Sequence, residues 1–150
     1  MTEVAERTFR WANAGSVRVC VHGLTNPFDE EWRAYVDDLA VNGRALKGIL
    51  VYTAGGGPNA AQRKYLAELW TRRGSMLPVA LMSPSTVVRG MVTALNWVLP
   101  KPIRTFPPDQ PDEAVRFLQL DAAESRAALA KLNEFRDVLG ITPQANRRVG

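Results

Sequence analysis

Cys20 and His22 are the two residues of this chain whose types could support nucleophilic catalysis. They stand two positions apart in an alternating stretch, so on a β-strand both side chains lie on the same face. A cysteine nucleophile also needs a base that a third group orients, and a pocket for the oxyanion. No motif in the sequence supplies either. We therefore interpret both as half-buried residues on a helix-covered or exposed strand face, and we predict that the protein is not an enzyme.

Metal and cofactor chemistry has few ligands to draw on, because the chain has one cysteine and one histidine. A zinc site usually takes several ligands of these two types. A lone cysteine cannot form an intramolecular disulfide either, which fits a reducing compartment. No stretch approaches the roughly 20 apolar residues of a membrane span. We expect no metal, no cofactor, no membrane insertion and a cytoplasmic location.

A run of glycines, Gly55, Gly56 and Gly57, follows an apolar stretch and precedes Pro58 and Asn59. Glycines at a strand end allow a tight turn and can present N–H groups to an anion or to a partner's carboxylate. The Lys-Ser/Thr pair of a phosphate-binding loop is absent, and the spacing misses the dinucleotide fingerprint. We interpret the run as a docking loop, with anion or nucleotide binding as the alternative.

Alternating apolar patterns predict the strands and helices that position these residues. The predicted elements are a hairpin over 8–11 and 17–22, a helix from Thr25-Asn26-Pro27 to Asn42-Gly43, a buried strand over 46–53, a helix from Ala61 to Gly74, a buried strand over 78–82, a helix with its apolar face over 88–99, an edge strand over 101–106, a short helix over 112–120, and a last helix at 122–139 capped by Asp121 and Glu124.

Strands that alternate with helices imply a mainly parallel sheet with helical crossovers. We expect one α/β domain over 1–142, with a core at about 8–120, a sheet of about five strands, and a flexible tail at 143–150. Binding sites in such sheets lie beyond the carboxyl ends of the strands. This directs attention to the loops after Tyr52 and Met82.

The order of these elements resembles the STAS domain, the fold of the anti-sigma-factor antagonists. The stretches 17–25, 47–53, 83–89 and 102–107, with 112–115 after them, are similar to its second strand, central strand, third-helix entry and closing segments. The resemblance covers residues 8–120 and implies a bacterial regulatory module that binds a protein partner. Family members regulated by kinases carry a phosphorylatable Ser or Thr at the start of the second helix, where this chain has glycines and no hydroxyl group.

Thr53 is the nearest hydroxyl to that turn, and it is therefore the candidate phosphoacceptor. The alternative is that it bonds the local backbone at its strand end, as such side chains often do.

The predicted function is a non-catalytic, STAS-like protein-interaction module. Its docking surface would comprise the first-helix face and these candidate binding residues: Thr53, Gly55, Gly56, Gly57, Asn59, Gln62, Arg63, Ser83, Ser85, Thr86 and Arg89. Exchange of Gly56 for Asp should weaken partner capture and leave thermal unfolding nearly unchanged. The alternative function is a domain that binds a small ligand, an anion or a lipid at the glycine loop or in a cavity between sheet and helices.

The partner is expected to be a protein with an acidic surface, because the net charge is +4 and Arg63 and Arg89 lie in the candidate site. A second copy of the chain is the alternative partner. The basic residues are spread along the sequence among fifteen acids and lack the motif context of a nucleic-acid reader. Nucleic-acid binding is therefore not expected.

Overall fold

The computed structural model describes residues 8–97 and 103–141. Within them, five strands form one sheet in the order in which they occur along the chain. They are β1 (Phe9–Ala14), β2 (Val17–His22), β3 (Gly48–Thr53), β4 (Val79–Met82) and β5 (Arg104–Phe106). β1 pairs antiparallel with β2, and every other neighbouring pair is parallel. The predicted α/β class, with a hairpin leading into parallel strands, is confirmed.

Five α-helices accompany this sheet in the described part of the chain, and the last is the longest. They are α1 (Asp29–Asn42), α2 (Ala60–Arg73), α3 (Thr86–Leu95), α4 (Pro111–Phe117) and α5 (Ala122–Val138). None of the helices in 8–97 and 103–141 is both long enough and apolar enough to cross a bilayer.

Reciprocal side-chain caps fix the starts of α2 and α5. The Asn59 side chain accepts a hydrogen bond from the Gln62 backbone N–H, and the Gln62 side chain accepts one from the Asn59 N–H, each at 2.9 Å. Asp121 and Glu124 form the same reciprocal pair at the start of α5, as predicted. Such a capping box satisfies two backbone donors that a helix otherwise leaves unpaired.

The start of α1 differs from the sequence prediction. The helix begins at Asp29 rather than at Thr25-Asn26-Pro27. The Asn26 side chain, predicted to cap it, donates instead to the Gly57 carbonyl of the following loop. The first-turn bond comes from Glu31, whose carboxylate accepts from the Phe28 N–H at 3.3 Å. A long-range contact therefore outcompetes the local cap.

Several other predicted boundaries change, and some predicted positions lie outside the described residues. β1 continues to Ala14, β3 begins at Gly48, α3 ends at Leu95, β5 begins at Arg104, and α4 ends at Phe117. The predicted helix positions 98 and 99, the predicted strand positions 101 and 102, and the predicted tail at 143–150 are not among the described residues.

The helices cover the sheet on both sides. On one side, called the α1–α2 face, Trp32, Leu39 and Trp70 pack against Ile49 and Val51 of β3. On the other, the α4–α5 face, the buried set comprises Val17, Val19, Val21, Leu50, Tyr52, Ala114, Val115, Ala128, Leu132 and Phe135, with others from β4 and β5. α5 lies over β1 and β2, so the long terminal helix covers the sheet.

Strand β2 is buried on both faces, whereas its alternation predicted one face that was half-buried or exposed. Arg18 is fully buried on the α1–α2 face. Its guanidinium forms an ion pair with Asp38, donates from Nη1 to the Tyr35 carbonyl at 3.0 Å, and lies 4.3 Å from the centroid of the Trp11 ring. A buried charge is tolerated when it is paired and hydrogen-bonded in this way.

Candidate functional site

The carboxyl ends of β2, β3 and β4 lie at one edge of the sheet, because these strands are parallel neighbours. The three connections that follow them, residues 23–28, 54–59 and 83–85, together with the first two residues of α3, Thr86 and Val87, are called the carboxyl rim. The Ser83 hydroxyl donates to the Thr53 carbonyl at 2.8 Å. The two loops that the sequence singled out, after Tyr52 and after Met82, therefore lie side by side as predicted.

The connection from β2 to α1 is the part of the carboxyl rim that the predicted site residues omit. The Gly56 N–H donates to the Gly23 carbonyl at 2.8 Å, and the Asn26 amide donates to the Gly57 carbonyl. Sequence reasoning could have included this connection, because parallel pairing of β2 with β3 places the carboxyl ends of both strands together. The rim thus consists of three connections rather than two.

Gly56 is required by the close approach of two backbones. A Cβ at this position would lie 2.5 Å from the Thr25 carbonyl oxygen and 2.7 Å from the Thr25 nitrogen. Real Cβ atoms do not approach backbone so closely, and backbone cannot move aside as a flexible side chain can. The expectation that Gly56→Asp leaves thermal unfolding unchanged is therefore wrong, because any side chain here forces the two connections apart.

Backbone N–H groups of the glycine loop are largely occupied within the protein. The Gly55 N–H donates to the Thr53 hydroxyl at 3.0 Å, and the Gly56 N–H is the donor to Gly23. Gly55 has a φ of +150°, which side-chain-bearing residues rarely adopt. Because these donors are engaged, the loop offers few to an anion, and the anion alternative loses its main support.

Thr53 is buried, with 2% of its surface exposed. Its hydroxyl donates to the Gly56 carbonyl at 2.6 Å and accepts from the Gly55 N–H. Hydrogen bonds of this kind are predicted if Thr53 bonds the local backbone at its strand end rather than serving as a phosphoacceptor. A phosphoryl group on Thr53 would have to break the first bond and open the loop.

The predicted polar contacts on α2 also have structural partners. Gln62 is buried, and its amide donates to the Pro27 carbonyl and to the Asp29 carboxylate, both at 2.9 Å. It thereby ties the first turn of α2 to the start of α1. The half-buried Arg63 donates from Nη1 to the Pro58 carbonyl at 2.9 Å.

The loop after β4 contains two more structural residues. Ser83 is buried, and its hydroxyl also accepts from the Ser85 N–H at 3.1 Å. The Ser85 hydroxyl caps α3 by accepting from the Val88 N–H. Thr86 and Arg89 are exposed. Of the predicted site residues, Asn59, Thr86 and Arg89 are therefore the exposed ones, and Gly55, Gly56, Arg63 and Ser85 are partly exposed.

Large apolar side chains stand exposed on this rim, and sequence reasoning missed them. Leu24 is 76% exposed and Phe28 52% on the first connection, and Val87 is 71% exposed where α3 begins. Leu24 also lies over the glycine loop, because a Cβ on Gly55 would be 3.5 Å from its Cδ2 atom. A signal existed for Val87, which falls outside the predicted Val88–Val92 stripe of α3. For Leu24 and Phe28 the sequence carried no such signal.

A cavity of about 100 Å³ lies between the sheet and the helices on the α1–α2 face. Cys20 and His22 of β2 line it together with Trp32 of α1 and Trp70 of α2, and its walls are almost wholly apolar. Arg63, from the start of α2 beside the rim, also lines it.

Cys20 and His22 are fully buried rather than half-buried. Burial raises the pKa of the Cys20 thiol to about 12 and lowers the pKa of His22 to about 4. The thiol donates to the Tyr35 hydroxyl at 3.7 Å, and the imidazole stacks on Phe9 with ring centroids 4.7 Å apart. At neutral pH the pair is a neutral thiol and a neutral imidazole, a state unsuited to a cysteine nucleophile.

Comparison of the chain with protein-family models, with curated proteins and with solved structures found no match. The STAS resemblance therefore stays a prediction. The function has to be argued from the carboxyl rim and from the cavity.

Proposed function

We propose that this protein is a non-catalytic, STAS-like regulatory module that docks a protein partner through the carboxyl rim. The observation that carries the proposal is the exposure of Leu24, Phe28 and Val87 on connections that lie together at one edge of the sheet. Large apolar side chains grouped on a polar surface are typical of protein-binding sites.

The grouping is specific to this edge. The described residues leave six large apolar side chains exposed, and these three belong to the rim. The others are Val41 at the far end of α1, Trp97 after α3, and Val138 at the end of α5. Burial of a Leu, Phe or Val side chain contributes roughly 1.5–3 kcal/mol when it is complete. The rim side chains could therefore anchor a partner.

Hydrogen bonds between the connections hold these side chains in place before any partner arrives. The Gly56–Gly23, Asn26–Gly57 and Ser83–Thr53 contacts join neighbouring connections, and Gln62 joins two of them to α2. A surface that is already ordered loses less conformational entropy on binding. The buried polar residues of the predicted site thus act by positioning the rim.

The charges around the rim favour a partner that is acidic beside its apolar contacts. Arg63 and Arg89 flank the second and third connections, while the exposed Glu30 flanks the first. Acidic side chains near the two arginines would give electrostatic complementarity, which raises the association rate and selects the orientation. A second copy of the chain is the alternative partner, in which Glu30 would meet one of the arginines.

The double variant Leu24→Glu with Val87→Glu tests the proposal. Both positions are exposed, so folding stability should change by less than about 0.5 kcal/mol. Capture of partners from a lysate of the source organism should fall at least tenfold, measured by quantitative mass spectrometry. Sedimentation velocity on the purified protein, before and after the substitutions, detects the self-associating alternative.

Val41→Glu is the matched control, because Val41 is 78% exposed but lies at the far end of α1. It should bind the same partners as the wild type. Equal capture by all three proteins, with no change in self-association, would contradict the proposal.

A further inference from the structure

The cavity on the α1–α2 face is partly open to solvent and measures about 100 Å³. Its floor consists of side chains from β2, β3 and β4, among them Ile49, Val51 and Val79, and Trp32 and Trp70 come from the helices. Apolar cavities of roughly this size, about 150 Å³ in one engineered case, stay dry and bind single aromatic rings.

One side chain that lines the cavity has a buried polar atom without a hydrogen-bond partner among the described residues. His22 is 4% exposed, and its Nδ1 atom has no hydrogen-bond partner among the described residues. A buried polar atom without a partner is costly, and it is uncommon in native structures. In a neutral imidazole one nitrogen donates and the other accepts. A hydroxyl group can do either, so it would satisfy His22 in both tautomers.

We infer that this cavity is a binding site for a small uncharged molecule, an apolar ring that carries one hydroxyl group directed at His22. The apolar walls take the ring, and the imidazole takes the hydroxyl. A charged ligand fits less well, because the remaining walls cannot replace its hydration. Arg63, the charged residue of the lining, already donates from Nη1 to the Pro58 carbonyl.

A larger depression of the described surface lacks these features. It measures about 410 Å³ and is shallow, and its lining includes Lys47, Pro78 and Gln119. None of its lining residues has a buried polar atom without a partner. Volume alone therefore does not identify the ligand site.

Three ring probes test the inference on the intact protein: toluene and phenol, which match in size, and the larger, charged benzoate. Methyl resonances of Ile49, Val51 and Val79 should shift on titration in ¹H–¹³C spectra, whereas those of the exposed Val138 should not. Phenol should bind about fivefold more tightly than toluene, the effect of one net hydrogen bond. Benzoate should bind more weakly than phenol.

Two variants assign the two parts of the site. His22→Phe retains a ring against Phe9 but removes both nitrogens, so phenol should lose its advantage over toluene. Val79→Ile adds one methylene to the cavity wall and should weaken both ligands severalfold, whereas Val138→Ile, the same change on the surface, should weaken neither. Val79→Ile and the probe series remain informative if His22→Phe does not fold.

The absence of saturable shifts at the cavity methyls with every probe would overturn the inference. Binding that Val79→Ile leaves unchanged would also overturn it, because the probes would then lie elsewhere. Tighter binding of benzoate than of phenol would refute the uncharged ligand and point to Arg63 instead.

Discussion

Strand β2 is buried on both faces of the sheet, but the side chains on the two faces differ in chemistry. In β2, Val17, Val19 and Val21 belong to the α4–α5 face, while Arg18, Cys20 and His22 belong to the α1–α2 face, and all six are buried. The first face is apolar in β2, although the guanidinium of Arg136, which is buried on α5, lies 4.2 Å from the centroid of the Tyr52 ring. In β2 the second face presents a paired guanidinium, and a thiol and an imidazole that line a cavity. Burial alone therefore does not make a core apolar, since a guanidinium such as that of Arg18 can be buried with specific partners.

Loss of the Arg18 guanidinium should be the most damaging change on the α1–α2 face. Arg18→Ala removes the cation that pairs with the partly buried Asp38, whose carboxylate keeps hydrogen bonds from Asn13 and Asn42, and it removes the contact with Trp11. We expect a loss of about 3–5 kcal/mol in the free energy of unfolding, the range for one-sided removal of a buried ion pair. Urea denaturation measures it.

The comparison on the α4–α5 face is Leu132→Ala, which should lower the free energy of unfolding by about 2–5 kcal/mol.

A double-mutant cycle of Arg18→Ala with Asp38→Ala isolates the contribution of the Arg18–Asp38 pair, because only coupled residues give a non-additive result. A loss below about 1 kcal/mol for Arg18→Ala would mean that the α1–α2 face does not depend on its buried charge.

Acid should weaken the α1–α2 face first. The pKa of His22 is about 4 in the folded protein against 6.5 normally. Between these two pH values the unfolded chain binds a proton at His22 and the folded chain does not. The free energy of unfolding is therefore unaffected by His22 above pH 6.5, and it falls by on the order of 3 kcal/mol as the pH decreases to 4. His22→Phe should remove this part of the pH dependence, as measured by denaturation at a series of pH values.

Gly56→Ala should destabilise the connections that lead into α1 and α2. The added Cβ meets the backbone of Thr25, and such overpacking typically costs about 1–3 kcal/mol. Gly57→Ala is the matched control, since a Cβ there has no atom within 4 Å. Thermal unfolding measures the effect, and Gly56→Ala should have the lower melting temperature of the two variants. Equal melting temperatures would show that the two connections do not touch.

The α4–α5 face should respond to acid later and more weakly. The Glu124 carboxylate accepts from Lys47 at 2.8 Å and from Ser16 at 2.6 Å, and these bonds lower its pKa to about 2. The stabilising effect is present above pH 4.5 and is lost as the pH falls from there toward 2. Glu124→Gln should reduce the pH dependence in that window and leave the window between pH 6.5 and 4.5 unchanged. If Glu124→Gln instead removed the pH dependence between pH 6.5 and 4.5, the assignment of that range to the α1–α2 face would be wrong.

Much of the fold was predictable because it follows from local patterns. The valines of β2, the apolar run of β3 and the Asp121–Glu124 cap indicate their elements without reference to distant residues. Parallel strands then place the loops after Tyr52 and Met82 together, which the structure bears out.

The remaining features depend on partners far away in the chain. Arg18 in an alternating strand indicates a solvent-exposed face, and its burial depends on distant partners on α1, the Asp38 carboxylate and the Tyr35 carbonyl. Position 56 requires glycine because the backbone of Thr25 lies so close to it. The Asn26 side chain, expected to cap α1, bonds the Gly57 carbonyl instead. The apolar part of the candidate site was missed because Leu24 and Phe28 stand in a connection whose exposure the pattern does not reveal.

Site-specific photo-crosslinking in the native host tests the docking surface most directly. Phe28, which is 52% exposed on the carboxyl rim, is replaced by p-benzoylphenylalanine, and Val41 and Val138 are replaced in the same way as controls. Irradiation should yield a discrete adduct from position 28, either with a partner protein or with a second copy of the chain. Neither control position should yield one. Adducts of equal yield from the control positions, or none from position 28, would contradict a docking site at the rim.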